Sequence, residues 1–216
     1  ITSGEGGMVT CNKKEDYDIL FALRSHGWLG GTRFYKRNLK SYNTYAEQNP
    51  KLDPRYIFIN SGFNLRPTDI QAAIAHNQFK RLDTLKKFRN INKNLIIEKI
   101  SNSKKWKNQF KFIVTPKDID PSWMGLPILL SEKYMKKKQK FVNFLDNQGI
   151  ETRPIISGNF ANQPAAKLYK LCKKNEKFEN AQKVQELGFL IGLHTKKLSK
   201  KNLDLIHDSF FMIDNI

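Results

Sequence analysis

A long helical pattern in the first half of this chain limits the folds that it can adopt. Pro67 stands at a position that suits the first turn of a helix. Apolar residues then recur at the spacing of one helix face, namely Ile70, Ala73, Ile74, Leu82, Leu85, Phe88 and Leu95. The pattern predicts one helix over residues 68–99, which at 1.5 Å per residue would extend for about 45 Å. A helix of that length could connect two lobes.

Beyond this helix the pattern changes to short strands that alternate with helices. Strands are predicted at 110–115, 126–130 and 150–152, and helices at 131–149, 164–172, 178–187 and 199–213. The polar stretch 101–108 separates the two patterns. We therefore expect an α/β protein with one domain over 1–100, which includes the long connecting helix, and a second over 101–216.

The residues before the long helix are less regular. A glycine-rich turn at 4–7 precedes a predicted strand at 8–10, and a helix is predicted at 17–26. The stretch 30–54 is polar and aromatic without a sustained period. An irregular stretch of that length suggests a functional loop or an arm that reaches a partner subunit. Because the chain opens on Ile1 within what resembles the interior of a domain, we interpret it as a fragment or a processed chain.

The charge of the chain raises the question of a polyanionic partner. Among 216 residues the formal net charge is +18, but the excess is mostly lysine spread along the whole sequence. Nucleic-acid readers concentrate arginine and aromatic residues instead, so nucleic-acid binding is kept only as a remote alternative. No stretch reaches the roughly 18 apolar residues of a membrane helix, so we expect no membrane contact. The two cysteines and four histidines have no metal-ligand spacing, and no metal is predicted.

Four short sequence segments, here called islands, contain residue types that are unusual for a domain without a binding or catalytic site. They are Gly-Glu-Gly-Gly at 4–7, Arg-Ser-His-Gly-Trp at 24–28, Gly-Phe-Asn-Leu-Arg-Pro-Thr-Asp-Ile-Gln-Ala-Ala at 62–73, and Ile-Glu-Thr-Arg-Pro-Ile at 150–155 followed by Gly-Asn-Phe at 158–160. In the third island an amide and a guanidinium stand just before a helix start, where a phosphate is attracted. In the fourth, Arg153 ends a predicted strand and Asn159 lies in the next loop. The alternative is that Arg153 only faces solvent and Asn159 only forms a turn, without a role in binding.

In their order and spacing these islands resemble the DegT/DnrJ/StrS family of sugar aminotransferases and dehydratases. The closing Gly-Phe-Leu-Ile-Gly-Leu-His at 188–194 also fits. The resemblance implies the fold-type I, aspartate-aminotransferase-like fold of enzymes that use pyridoxal or pyridoxamine phosphate. It further implies that residues 1–100 are the later part of the large cofactor-binding domain and that 101–216 are the small C-terminal α+β domain.

The resemblance also implies roles for individual residues. Asn64 matches an asparagine that reaches the cofactor phosphate of the partner subunit, and Arg66 is expected to support the same loop as a second cofactor-binding residue. Three further residues match positions near the sugar-nucleotide pocket and are expected to bind substrate: Arg153, Asn159 and His194. The cofactor-bonding lysine or histidine of the family lies two residues before the position of Ile1. We therefore expect no catalytic residue in this chain and no turnover by the 216 residues alone.

Two reactions of the family stay open. Trp28 and the Ser-Gly-Asn-Phe sequence at 157–160 resemble the 3-dehydratases, without the cysteines of their iron-sulfur subgroup. This favours 3-dehydration of a GDP- or CDP-linked 4-keto-6-deoxyhexose for lipopolysaccharide O-antigen or another polysaccharide. The alternative is a sugar aminotransferase. In either case the resemblance implies a cytoplasmic homodimer with shared active sites and L-glutamate as amino donor. A non-catalytic scaffold that keeps the dimer surface is a further alternative.

Overall fold

The computed structural model describes residues 1–29, 39–173 and 176–216. The chain forms two compact units, Ile1–Lys80 and Arg81–Ile216. The sequence predicted a change of domain at 100/101, and the structure attaches residues 81–100 to the second unit because Ile96 and Ile100 lie in its core. The assignment of 1–100 and 101–216 to the large and small domains of a complete enzyme stays a prediction.

The first unit is built from helices and loops. In its described residues, 1–29 and 39–80, the helices are α1 (Lys14–Leu23), α2 (Leu39–Gln48) and α3 (Asp69–Phe79), with a 3₁₀ turn at Pro54–Tyr56. The helix predicted at 17–26 therefore begins and ends three residues earlier. Helix α2 lies within the stretch that the sequence left as an irregular arm, while residues 30–38 of that stretch lie outside the described residues.

Little apolar surface is buried in the part of the first unit that the structure describes. Leu29 and Ile57 form its small core, with Phe21, Ala46 and Ile59 packed against them. Helix α3 buries none of its residues. The strand predicted at 8–10 is wrong, because this segment has no strand partner among the described residues and Met8 is 90% exposed.

The long helix predicted over 68–99 is also wrong as a single element. Helix α3 ends at Phe79 and the next helix, α4, begins at Leu82 and continues to Ser101. The division between the two units falls at the same place, after Lys80. The apolar spacing continues through the break, which is why periodicity alone did not reveal it.

The second unit contains a four-stranded antiparallel sheet and the remaining helices. Its strands are β1 (Phe110–Phe112), β2 (Gly125–Leu130), β3 (Thr152–Arg153) and β4 (Gly188–Gly192), and its helices after α4 are α5 (Lys138–Asn147), α6 (Pro164–Leu168), α7 (Glu179–Leu187) and α8 (Lys200–Phe211). Three 3₁₀ turns lie at Glu132–Lys137, Phe160–Asn162 and Met212–Asp214. The strand order is β1-β2-β4-β3.

The register of this sheet places the fourth island beside the end of β4. Ile128 pairs with Phe189 in the centre of the sheet, and Arg153 pairs with Leu190 at its edge. Four aromatic rings fill the core between sheet and helices, with centroids 5.1 to 6.4 Å apart: Phe110, Phe141, Phe189 and Phe210. Burial of each such side chain contributes about 2 kcal/mol to the stability of this unit. These rings form the centre of the core of the second unit.

Among the described residues we find no helix that combines the length and the apolar content needed to cross a lipid bilayer.

Candidate functional site

In the first unit the second and third islands are held together by backbone hydrogen bonds. The Phe63 N–H donates to Leu23 O at 2.7 Å, the His26 N–H donates to Phe63 O at 2.7 Å, and the Leu65 N–H donates to Arg24 O at 2.9 Å. Ser25 and Asn64 face each other as an isolated β-bridge. The segment that carries Asn64 is therefore fixed along its backbone.

Two glycines make this close approach possible. Gly27 has φ +77°, and a β-carbon there would lie 1.7 Å from Asn60 O. A β-carbon on Gly62 would lie 2.1 Å from Gly27 N. Any larger residue would force the two segments apart.

Fixing the backbone leaves the side chains of Asn64 and Arg66 free. Both residues are exposed, and in the part of the chain that the structure describes neither side chain has a hydrogen-bond or ion-pair partner. The amide therefore offers two donors and the guanidinium a positive charge to a group from outside. An anion such as a phosphate suits this pair.

The N-terminus of helix α3, which follows Arg66, is already capped by side chains of the chain itself. Thr68 Oγ1 accepts from the Gln71 N–H at 3.3 Å, and Gln71 Oε1 accepts from the Thr68 N–H at 2.8 Å, which is a complete capping box. Asp69 adds a carboxylate to the first turn. Because Asp69 repels an anion at the helix end, the free donors just upstream suit a phosphate better than the helix terminus does.

The first island joins the same assembly through Gln71. Its side-chain amide donates to Glu5 O at 2.9 Å, and Ser3 Oγ also donates to that carbonyl at 3.0 Å. Gly4 adopts φ +83° in this turn. The structure therefore brings together the three islands that the sequence singled out before residue 80.

Trp28, which the sequence placed on the dehydratase side of the family, holds a neighbouring turn. Its Nε1–H donates to Arg55 O at 2.7 Å, and its ring stacks on Tyr56 with centroids 6.4 Å apart. The side-chain hydrogen bonds from Arg55 lower the pKa of Asp53 to about 2. The Asp53 carboxylate thus stays charged and caps this turn at ordinary pH.

In the second unit Arg153 lies at the edge of the sheet. The Thr152 N–H donates to Asp146 Oδ1 at 2.7 Å, which ties the start of β3 to the end of α5. Arg153 Nε and Nη2 both donate to Glu151 Oε1, at 3.0 and 2.7 Å. The arginine and glutamate side chains are 65% and 70% exposed, so the pair is accessible to a ligand.

Glu151 is a site candidate that the sequence reasoning missed. Residues two apart in an extended chain project to the same face, so the spacing of Glu151 and Arg153 was the available signal. A paired carboxylate fixes the arginine and can itself accept hydrogen bonds from a nucleotide base or a sugar. The two side chains together form a polar recognition pair.

Asn159 is only 7% exposed and its side chain is engaged within the chain. Its Nδ2 donates to Gln182 Oε1 at 3.0 Å, and its Oδ1 accepts from the Ala161 N–H at 3.2 Å. It borders a cavity of about 900 Å³, and the charged residues that line it, among those the structure describes, are Lys167, Lys170, Lys173, Lys177, Lys183, Glu176, Glu179 and Glu186. Asn159 shapes one wall of a cavity with a net positive lining.

His194 follows β4 and is exposed. Its Nδ1 accepts from the Lys196 N–H at 3.0 Å. Arg153 is the last residue of β3, His194 follows β4, the strand that pairs with β3, and Asn159 lies beyond the end of β3. These three side chains share no hydrogen bond among the described residues, and no group of His, Cys, Asp or Glu in the same part of the chain is arranged to hold a metal ion.

The sequence matches a known family over nearly its whole length. The model of the DegT/DnrJ/EryC1/StrS aminotransferase family covers residues 1–210. The GDP-4-keto-6-deoxy-D-mannose 3-dehydratase of Yersinia pseudotuberculosis is 30% identical over 210 residues, which are 94% of this chain and 49% of that protein. The chain therefore spans about half the length of the relatives that it matches.

Solved structures agree with this match. The Escherichia coli GDP-4-keto-6-deoxy-D-mannose 3-dehydratase with bound hydrated PLP superposes with a TM-score of 0.69 at 24% identity, over 91% of this chain and 48% of that one. The sugar aminotransferase CalS13 of Micromonospora echinospora gives 0.70 at 15% identity, over 97% and 48%. At these identities the likeness shows the fold alone, and it confirms the fold-type I class predicted from the sequence.

Proposed function

Because the chain belongs to the DegT/DnrJ/EryC1/StrS aminotransferase family, we propose that it is part of an enzyme that removes the 3-hydroxyl of a nucleotide-linked 4-keto-6-deoxyhexose. The product would serve the synthesis of lipopolysaccharide O-antigen or another polysaccharide. Backbone hydrogen bonds pair residues 24–28 with 62–65 and leave the side-chain amide of Asn64 exposed, and this arrangement is the main support for the proposal. Similarity to the Yersinia dehydratase favours dehydration over the other reactions of the family.

The residues of the first unit fit the phosphate of pyridoxal or pyridoxamine phosphate. Asn64 would donate to that phosphate in the partner subunit, and Arg66 would add charge beside it. Both side chains are exposed and unpartnered in the described part of the chain, which is what a group binding from another subunit requires. When bound, the cofactor supplies an electron sink for loss of the neighbouring hydroxyl.

The residues of the second unit fit the nucleotide sugar. Arg153, steadied by Glu151, presents a guanidinium that suits a phosphate or a base edge. The described lining of the cavity beside Asn159 contains five lysines and three glutamates, and this positive balance suits a diphosphate. His194 offers an imidazole from the loop after β4.

The exposed apolar surface of the first unit suggests that further protein covers it. Helix α3 buries none of its residues, and Ile70 and Phe79 are 74% and 62% exposed. Apolar surface of this kind is usually covered by further protein. This exposure supports the proposal that residues 1–100 form the later part of a larger cofactor-binding domain. From the family we further propose that the complete protein is a cytoplasmic homodimer with shared active sites.

A sugar aminotransferase is the second candidate, because CalS13 shares the fold equally well. In both reactions L-glutamate would be the amino donor. The two are separated by incubating the complete protein with the cofactor, L-glutamate and GDP-4-keto-6-deoxy-D-mannose. A product that lacks the 3-oxygen supports dehydration, and a product that carries a new amine supports the aminotransferase. Recovery of unchanged substrate from correctly folded, cofactor-loaded protein would count against both.

A further inference from the structure

A buried asparagine in the second unit has a task that packing does not explain. Asn92 is 0% exposed and lies on the face of α4 that also carries Ile96 and Ile100. An amide in such a place loses its water, and this costs free energy unless its donors and acceptor find partners. The hydrogen-bond partners of the Asn92 side chain therefore indicate its structural role.

All three hydrogen bonds of the Asn92 side chain go to one loop. Its Nδ2 donates to His194 O at 2.9 Å and to Lys196 O at 2.8 Å. Its Oδ1 accepts from the Leu198 N–H at 2.9 Å. Three points of the loop that joins β4 to α8 are thus bonded to one side chain that is more than 100 residues away in the sequence.

This loop sets the chemistry of His194. Because the Lys196 N–H donates to Nδ1, that nitrogen acts as an acceptor, and the neutral ring carries its hydrogen on Nε2. The residue is exposed, so the ring is within reach of a ligand. Because Nδ1 already accepts from Lys196, the Nε2–H of a neutral His194 is the ring group that can donate to such a ligand.

We propose that Asn92 is a positioning residue for the substrate site. It holds residues 194–198 so that His194 donates its Nε2–H to an oxygen of the nucleotide sugar, either on the diphosphate or on the hexose. The substrate contact of His194 rests on the proposed function, whereas the hold of Asn92 on the loop does not. The two parts can therefore be tested separately.

The hold on the loop is tested by hydrogen exchange and nitrogen NMR on the 216-residue chain. Asn92→Ala should speed exchange of the Leu198 amide at least about tenfold and should reduce the share of the Nε2–H form of His194. The matched control is Asn90→Ala, on the same helix, whose amide contacts Pro121 O at 3.5 Å. It should leave both signals unchanged. Unchanged exchange at Leu198 in Asn92→Ala overturns the proposal.

The link to substrate is tested by a double-mutant cycle on the complete protein with GDP-4-keto-6-deoxy-D-mannose. Asn92→Ala and His194→Ala should each raise KM about three- to tenfold, as loss of one hydrogen bond does, with kcat less affected. In the His194→Ala background, Asn92→Ala should add no further increase. An equal increase in both backgrounds would show that Asn92 acts other than through His194, and would overturn the proposal.

A second variant covers the case in which the loss of Asn92 unfolds the core. Lys196 is exposed, and Lys196→Pro removes the N–H that donates to His194 Nδ1 while Asn92 stays in place. It should raise KM about as much as Asn92→Ala with an unchanged melting temperature. An unchanged KM would overturn the proposal. If the unaltered protein binds no nucleotide sugar, the proposed function fails together with the substrate contact, and the exchange result still reports on Asn92 alone.

Discussion

Gly62 lies so close to Gly27 that a β-carbon on Gly62 would stand 2.1 Å from the Gly27 backbone nitrogen. Because the obstacle is backbone, Gly62→Ala must separate residues 24–28 from 62–65. We expect a cost of about 1–3 kcal/mol, as for other overpacked positions. The Phe63 and Leu65 amides, which bond to Leu23 O and Arg24 O, should exchange with solvent correspondingly faster.

Gly7→Ala is the matched control for that substitution, since a β-carbon on Gly7 meets no atom within 4 Å. It should change stability by less than about 0.5 kcal/mol. Equal exchange rates of the Phe63 amide in both variants would show that the close approach is not needed.

The free amide of Asn64 leads to a prediction on cofactor affinity. Asn64→Ala in the complete protein should raise the concentration of pyridoxal phosphate needed for half saturation at least about tenfold, because a hydrogen bond to a charged group is lost. The melting temperature without cofactor should not change, since Asn64 is exposed and its side chain has no partner among the residues described. Titration of the cofactor absorbance measures this.

Asn12→Ala is a suitable comparison, because Asn12 is an exposed asparagine of the same unit. It should leave the titration curve in place. If Asn64→Ala binds the cofactor as tightly as Asn12→Ala does, the assignment of Asn64 fails.

The Arg153–Glu151 pair predicts a change in binding without a change in stability. Both side chains are more than half exposed, and such surface pairs contribute at most about 1 kcal/mol to folding. Arg153→Lys keeps the charge but loses the planar fork, so we expect affinity for the nucleotide sugar to fall about tenfold. Calorimetric titration against the exposed control Arg81→Lys would decide, and equal affinities would remove Arg153 from the site.

The Tyr134–Asp214 hydrogen bond predicts how stability depends on pH. Burial, followed by the hydrogen bond to Asp214, raises the pKa of Tyr134 from 10.0 to about 12. The bond from Tyr134, together with one from Gln109, holds the pKa of Asp214 below its ordinary 3.8. The tyrosine therefore stabilises the fold fully below pH 10 and progressively less towards about pH 12. The aspartate stabilises it above pH 3.8 and less as pH falls.

Tyr134→Phe should remove this dependence. Near neutral pH we expect a loss of about 1 kcal/mol, at the low end for a charged partner because Asp214 is exposed to solvent. The difference from the unaltered chain should shrink below about pH 4 and above about pH 10, as measured by urea unfolding. Tyr169→Phe, at a 71% exposed tyrosine, should show no difference at any pH. A gap that is constant from acid to alkali would contradict the role of this bond.

Much of the second unit could be predicted from the sequence, because its elements are bounded by strong local signals. Strand β2 is an unbroken apolar run, and α8 combines a Ser199 cap with an apolar stripe. Strand β4 was not predicted as a strand, although residues 188–192 are apolar, because short apolar runs fit more than one element. Its pairing with β2 and β3 is a tertiary fact that no local pattern contains.

The first unit was harder to predict for a physical reason. The strand expected at 8–10 and the continuous helix over 68–99 were inferred from local apolar content, but here Met8 is almost fully exposed and α3 buries nothing. Local patterns report what a segment could bury, not what covers it. The islands were found correctly as unusual sequences, and their assembly around the Gly27–Gly62 contact required the structure.

The sequence analysis did not identify residues that act by positioning another side chain. Glu151 was passed over because an exposed carboxylate is common, and only its bond to Arg153 distinguishes it. Asn92 was passed over because its spacing from Ile96 and Ile100 matches an ordinary helix face. An asparagine on the apolar face of a helix was the available signal. Its role could not be inferred, because its hydrogen-bond partners lie in a loop about 100 residues further along the chain.

We propose that this chain forms part of a cofactor-dependent 3-dehydratase for nucleotide sugars. The most direct test is mass spectrometry of the product that the complete protein forms from GDP-4-keto-6-deoxy-D-mannose in the presence of L-glutamate and the cofactor. We expect the unaltered protein to form a 4-keto sugar nucleotide that has lost its 3-oxygen, and we expect Asn64→Ala to form much less of it. Unchanged substrate, or a product that keeps the 3-hydroxyl and gains an amine, would contradict it.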